Sequence, residues 1–160
     1  MNPTILVCVD FDKTLYLSRG APFGTGGVYY SMVESLEPFG PPGFDNRWVM
    51  PTVVEMRRAL IDPRAAVVLL SDRPDLAPLR GHMERMLKKA GLTPHVMQLK
   101  PIGYPADDPS YKAQVVEKLL AALPEAKRVM MFDDDCDNLS AVQAVVEASE
   151  RTFVPRLVEL

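Results

Sequence analysis

Two aspartates, Asp10 and Asp12, stand two positions apart directly after the apolar run Ile5–Val9. The run reads as a buried strand, and that spacing at a strand end can aim both carboxylates at the same space. Two anions so close repel unless a cation or a shared proton relieves them. A second acidic cluster, Asp133-Asp134-Asp135, follows the apolar stretch Arg128–Phe132, and Ser71 follows Ala65–Leu70. All three polar groups fall just past the carboxyl ends of predicted strands, the edge at which open α/β sheets bind ligands. Oxygen donors in that arrangement suit Mg²⁺, which keeps several waters and also binds substrate phosphate.

The elements that must position these groups alternate in type. Strands are expected at Ile5–Val9, Ala65–Leu70, Val96–Leu99 and Arg128–Phe132, with a possible edge strand at Thr152–Val154. Helices are expected from Pro51 toward Pro63, over Leu76–Ala90 closed by Gly91, over Tyr111–Ala122, and from Asn138 or Ser140 to about Glu147. Such alternation predicts an α/β fold: a three-layer, Rossmann-like parallel sheet with helices on both faces. Between the first strand and first helix lies a Gly- and Pro-rich insert, about residues 16–50, which reads as a small flap rather than a cap domain. Within it, Val28–Met32 fits either a short strand or a helical turn.

At 160 residues, with 48% hydrophobic and 24% charged content, the chain reads as one globular domain over residues 1–160. Its apolar runs are too short to cross a membrane, and its N-terminus lacks the basic region of a signal peptide. Two cysteines, Cys8 and Cys136, form no disulfide framework and fit a reducing, cytoplasmic setting. The net charge of −3 is concentrated in six acids of two clusters (Asp10, Asp12, Asp133, Asp134, Asp135, Asp137). Leaving those out, the remainder carries +3, so a phosphorylated or nucleic-acid partner is compatible with the charge balance.

Taken together, the residues resemble the haloacid dehalogenase (HAD) superfamily of phosphohydrolases. Asp10-Phe11-Asp12-Lys13-Thr14-Leu15 matches its first motif, Leu69-Leu70-Ser71-Asp72-Arg73 its second, and Phe132-Asp133-Asp134 its fourth, with a lysine as the third. Two rivals differ in order. Receiver domains place the phosphoacceptor after a middle strand and the lysine last, whereas here the middle strand ends in Ser71 and acids follow Lys112. Ion-pump ATPases continue the first motif with Gly-Thr where this chain has Leu15-Tyr16.

The resemblance implies a Mg²⁺-dependent phosphomonoesterase. Asp10 would attack phosphorus to form an aspartyl-phosphate, and Asp12 would serve as acid and then base. Metal would be held by Asp10, the backbone carbonyl of Asp12, and Asp134 with Asp133 as the alternative. Ser71, Arg73 and either Lys100 or Lys112 would meet the substrate phosphate, with Lys112, 21 residues before Asp133, preferred as the motif lysine. Read from the residues alone, Ser71 is otherwise an N-cap for the helix that follows. A narrower similarity links Leu99-Lys100-Pro101, Tyr111-Lys112 and Asn138 to the HAD domains of RNA-repair proteins and of polynucleotide kinase–phosphatases, implying a polynucleotide 3′-phosphate end as substrate. Those groups usually carry Arg where this chain has Asp135, and some have His in place of Asn138. Trp48, Tyr29, Tyr30 and Phe44 could stack a base. A nucleotide or sugar phosphate is the alternative substrate, and a silent metal- or phosphate-binding module the alternative function.

Overall fold

A computed structural model of the chain describes residues 2–17, 30–36 and 47–160. Five parallel strands form the main sheet in the order β5-β4-β1-β6-β7: β1 Ile5–Val9, β4 Ala65–Pro74, β5 Val96–Lys100, β6 Arg128–Asp133 and β7 Thr152–Leu157. β1 lies at the centre, with Val9 level with Leu69 on one side and Phe132 on the other. That register brings the ends of β1, β4 and β6 to one edge.

Alternation along the strands builds two cores. Val7, Val9, Val67 and Leu69 face α1 (Met50–Ile61) and α2 (Ala77–Lys89), meeting Val53, Met56, Leu79, Met83 and Leu87. Leu6, Cys8, Val68, Leu70, Val129 and Met131 face α3 (Asp108–Ala122) and α4 (Cys136–Ala148), meeting Val116, Leu120, Val142 and Val146. Both faces are therefore covered, which is why the strands read as nearly continuous apolar runs. The three-layer α/β architecture expected from the sequence is present, with no large cap among the described residues. No helix among the described residues is long and apolar enough to cross a membrane.

The boundaries depart from expectation in three instructive places. β4 runs on through Ser71-Asp72-Arg73-Pro74, with a register shift against β5 between Ser71 and Pro74. Ser71 is thus a strand residue and caps no helix; α2 begins only at Ala77, after Leu76 with no side-chain cap. α4 begins at Cys136, two residues before Asn138, because Asp135 accepts a hydrogen bond from the Asp137 N–H. α3 is likewise capped by Asp107, which accepts from the Ser110 N–H, with Pro109 in the first turn. At the other end of α2, Gly91 takes a φ of +68°, the left-handed conformation expected of a helix-terminating glycine.

Of the expected flap, residues 18–29 and 37–46, Tyr29 and Phe44 among them, lie outside the described residues. Its two feet are described: β2 (Tyr16–Leu17) and β3 (Arg47–Trp48) pair antiparallel. Val33–Leu36 forms a short 3-10 helix.

The two cysteines occupy opposite environments. Cys8 is fully buried in the central strand, and burial pushes its thiol up to about 12 against the opposing pull of Lys112. Cys136 is exposed. Ellman's reagent at pH 8 should therefore modify one thiol in the native protein, and the second only after denaturant; rapid modification of both would contradict this packing.

Candidate active site

The loop leaving β1 folds back on itself. The Phe11 carbonyl accepts the N–H groups of Leu15 and Tyr16 at 3.0 and 2.9 Å, and Lys13 adopts a left-handed φ of 59°. This curl returns Thr14 to Asp10, where its hydroxyl donates to Asp10 Oδ2 at 2.9 Å; Asp134 Oδ1 lies 3.4 Å from the same hydroxyl. Asp10 itself is 3% exposed, and its backbone N–H donates to the Phe132 carbonyl.

Lys112 arrives from the first turns of α3 and closes the other side. Its Nζ donates to Asp10 Oδ1 and to Asp133 Oδ2, each at 2.8 Å, with all three side chains buried. Burial opposes the lysine's charge, but the two carboxylates together outweigh it and hold the ammonium above its ordinary pKa. Burial pushes Asp10 well above the usual carboxylate range, with Lys112 pulling it back. Asp133 is held by two further groups: its Oδ1 accepts the Asp135 N–H at 2.9 Å, and both its oxygens lie near Asn138 Nδ2, at 3.1 and 3.2 Å. Asp134 is only partly buried, and its carboxyl is raised first by burial and then by the nearby Asp133.

Oxygens of Asp10, Asp133 and Asp134 lie within 4.8 Å of one another. Three hard oxygen donors at that spacing suit a Mg²⁺ ion. One more observation fits: the buried Asn138 Oδ1 meets no donor among the described residues, although its Nδ2 is anchored on Asp133. A buried acceptor without a donor is costly, and water carried by a cation would satisfy it.

Asp12 takes a different position. Both its oxygens face Arg73, Nε to Oδ2 and Nη2 to Oδ1, each at 2.7 Å. Arg73, 2% exposed, also donates from Nη1 to the Ser35 hydroxyl at 2.6 Å and to the Tyr30 carbonyl at 3.0 Å, between the rings of Phe11 and Tyr30. A buried bidentate fork of this kind is the geometry at which Arg and Lys are not interchangeable.

The structure therefore brings Asp10, Asp12, Lys112, Asp133 and Asp134 to one sheet edge. Asp10, Asp12, Lys112 and Asp134 line a cavity of about 400 Å³ there, together with Lys13, Asp72, Arg73, Asp108 and Asn138. Three residues expected to meet a substrate phosphate have protein partners in the structure. Ser71 is fully buried, and its hydroxyl accepts the Arg73 N–H at 3.2 Å. The Arg73 guanidinium is committed to Asp12 and to the residues Tyr30 and Ser35 of the insert. Lys100 pairs with Asp108 at 2.7 Å over the Tyr111 ring and does not line the cavity.

Sequence reasoning missed the hydroxyl of Thr14, the role of Asn138, and the pair Asp72–Asp108. Thr14 carried a signal in its place four residues after Asp10. Burial, with a hydrogen bond to Asp108, pushes Asp72 up to about 6. No spacing rule announces that pair, because its members come from β4 and α3.

Comparison with known proteins follows the same lines. The chain superimposes on a protein of the Pnkp1/Rnl/Hen1 RNA repair complex with a TM-score of 0.61 at 16% identity, covering 98% of this chain and 43% of that one. It therefore spans under half the length of that relative. The HAD domain of the effector protein Lem4 from Legionella pneumophila gives a TM-score of 0.65 at 12% identity, covering 99% and 88%. At such identities the likeness is one of fold. No curated protein sequence matches the chain. Residues 28–158 match the sequence model described as HAD domain family 1 in Swiss Army Knife RNA repair proteins, a span that starts after the Asp10–Leu15 stretch. The chain belongs to that family of HAD domains.

Proposed function

We propose that this chain is a Mg²⁺-dependent phosphomonoester hydrolase that works through an aspartyl-phosphate on Asp10 and acts on a phosphorylated polynucleotide end. The observation that carries the reading is the buried triangle of Asp10, Lys112 and Asp133, with the open carboxylate of Asp134 beside it. Asp10, Asp134 and the Asp12 carbonyl are assigned to the metal, and Asp133 to holding Lys112 and Asn138 in place. Mg²⁺, when bound, neutralises phosphoryl oxygens and so lets an anionic nucleophile approach.

Asp10 attacks phosphorus in line, the bond from phosphorus to the ester oxygen breaks, and Asp12 gives that oxygen a proton. Water then attacks the acyl phosphate while Asp12 takes its proton, releasing phosphate and restoring Asp10. Asp12 must leave Arg73 to reach the reacting oxygens, so Arg73 acts as its resting place rather than as a phosphate clamp. Lys112 offsets phosphoryl charge and favours the ionised form of Asp10. The work is assigned to one domain over residues 1–160, with an insert at about 16–50 of which Tyr30 lines the cavity.

The polynucleotide substrate is supported by the family description and by the likeness to a member of an RNA repair complex. A nucleotide or sugar phosphate is favoured instead by the acidic wall of the cavity, where Asp72, Asp108 and Asp135 would repel a long polyanion. The two free cysteines support a cytoplasmic setting.

Asp10→Asn should abolish Mg²⁺-dependent hydrolysis of an aryl phosphate while leaving the thermal melt near that of the parent; retained turnover removes the nucleophile assignment. A panel of 3′- and 5′-phosphorylated oligonucleotides, nucleotides and sugar phosphates separates the substrates, and preference for a mononucleotide defeats the polynucleotide reading. Lys112→Met should cost about 3–5 kcal/mol, the usual penalty for removing one partner of a buried ion pair. The stranded Asp10 and Asp133 then relax by binding protons, so the deficit should be largest near pH 8 and shrink toward pH 5. A deficit independent of pH would contradict the triangle.

A further inference from the structure

A second cleft, of about 520 Å³, opens on the far side of the aromatic cluster that flanks Arg73. Its floor holds Tyr16, Leu36 and Trp48, and one wall is a stripe of α2: His82, Arg85, Met86 and Lys89. Those four positions follow the three- and four-residue spacing of one helix face. The lining contains cationic and aromatic groups and no acid among the described residues, the reverse of the acidic cavity. Arg85 and Lys89 are exposed, and neither makes an ion pair among the described residues. Arg57 adds a further guanidinium nearby, bound to the Ala90 carbonyl at 2.8 Å.

We infer that this cleft is a single-strand binding subsite, in which a base packs on Trp48 while neighbouring phosphates lie on Arg85 and Lys89. Charge complementarity selects a polyanion, and the half-buried indole selects one that carries flat rings. Trp48 meets Tyr16 edge-on at 5.0 Å, and Tyr16 stacks on Phe11 at 5.6 Å, one residue from Asp10. The subsite therefore begins two buried rings from the residue beside the proposed nucleophile, and in this inference it holds the strand whose end enters the acidic cavity. It also answers the repulsion of that cavity: the affinity comes from the cationic face, and only the terminal phosphate meets the carboxylates. In giving a strand end to the neighbouring site, the inference rests on the proposed polynucleotide substrate.

Trp48 is the only tryptophan in the sequence, so its emission reports on the cleft alone. The test titrates the protein, in EDTA, with a single-stranded RNA of about eight nucleotides lacking terminal phosphates. Quenching of Trp48 is expected, with a binding constant that falls with salt at a log–log slope of about −1.4, roughly −0.7 for each of two phosphate contacts. The double variant Arg85→Glu/Lys89→Glu changes only exposed side chains; it should lower affinity at least about tenfold and flatten the salt slope. Trp48→Leu, followed by the fluorescence anisotropy of a dye-labelled copy of the same RNA, should weaken binding by roughly tenfold. Unquenched emission on saturation, or unaltered affinity in the double variant, overturns the inference. So does equal binding of a polyglutamate peptide, which would make the face a generic site for acidic proteins. Since the probe has no phosphomonoester, the two proposals fail separately: quenching without phosphatase activity removes the catalytic reading, and phosphatase activity without quenching removes this one.

Discussion

The site depends on one buried cation. Without the Lys112 ammonium, Asp10 and Asp133 would stand as adjacent anions at the end of a dry sheet, an arrangement that low local dielectric makes expensive. With it, the carboxylates come from β1 and β6 and the lysine from α3, so one ion-pair triangle ties three elements. Asp133 is further held by Asn138 and by the start of α4. The geometry of the proposed nucleophile is thus set by groups that themselves have little freedom, which is what preorganisation means in physical terms.

A second pairing links that centre to the insert. Arg73 reaches Asp12 on one side and Ser35 and the Tyr30 carbonyl on the other. One link between β1's loop and the insert therefore runs through this guanidinium, and movement of Asp12 away from Arg73 would alter one of the contacts that hold Tyr30 and Ser35. Because β4 stays extended through Pro74, Arg73 is delivered into the interior rather than to the surface.

Much of the frame was legible from residue pattern, because doubly covered parallel strands leave continuous apolar runs that stop at their functional edge. The acids at 10, 12, 133 and 134 were legible for the same reason. The rest was hidden by local chemistry that points elsewhere. Ser71-Asp72-Arg73-Pro74 has the composition of a turn, yet its ladder with β5 and the buried Arg73 keep it in the strand. In the run Asp133–Asp137 nothing marks which acid caps a helix, so the expected start of α4 falls two or more residues late. The Asp12–Arg73 pair joins residues 61 apart and has no signature in one dimension. Without that pair, Arg73 reads as a free cation for phosphate.

Placing β1 in the middle of the sheet has a consequence for biogenesis. Residues are made in order, and the strand that leads into Asp10 and Asp12 leaves the ribosome before either of its neighbours. Its neighbours are β4 on one side and β6 on the other, so its second edge stays open until about residue 133 has been synthesised. Throughout that interval the nascent chain carries an apolar strand with an unpaired edge, the kind of segment that invites wrong partners. Only when β6 docks are that edge and the charge on Asp10 both accommodated, which ties completion of the site to the synthesis of β6 rather than of the strand that leads into it.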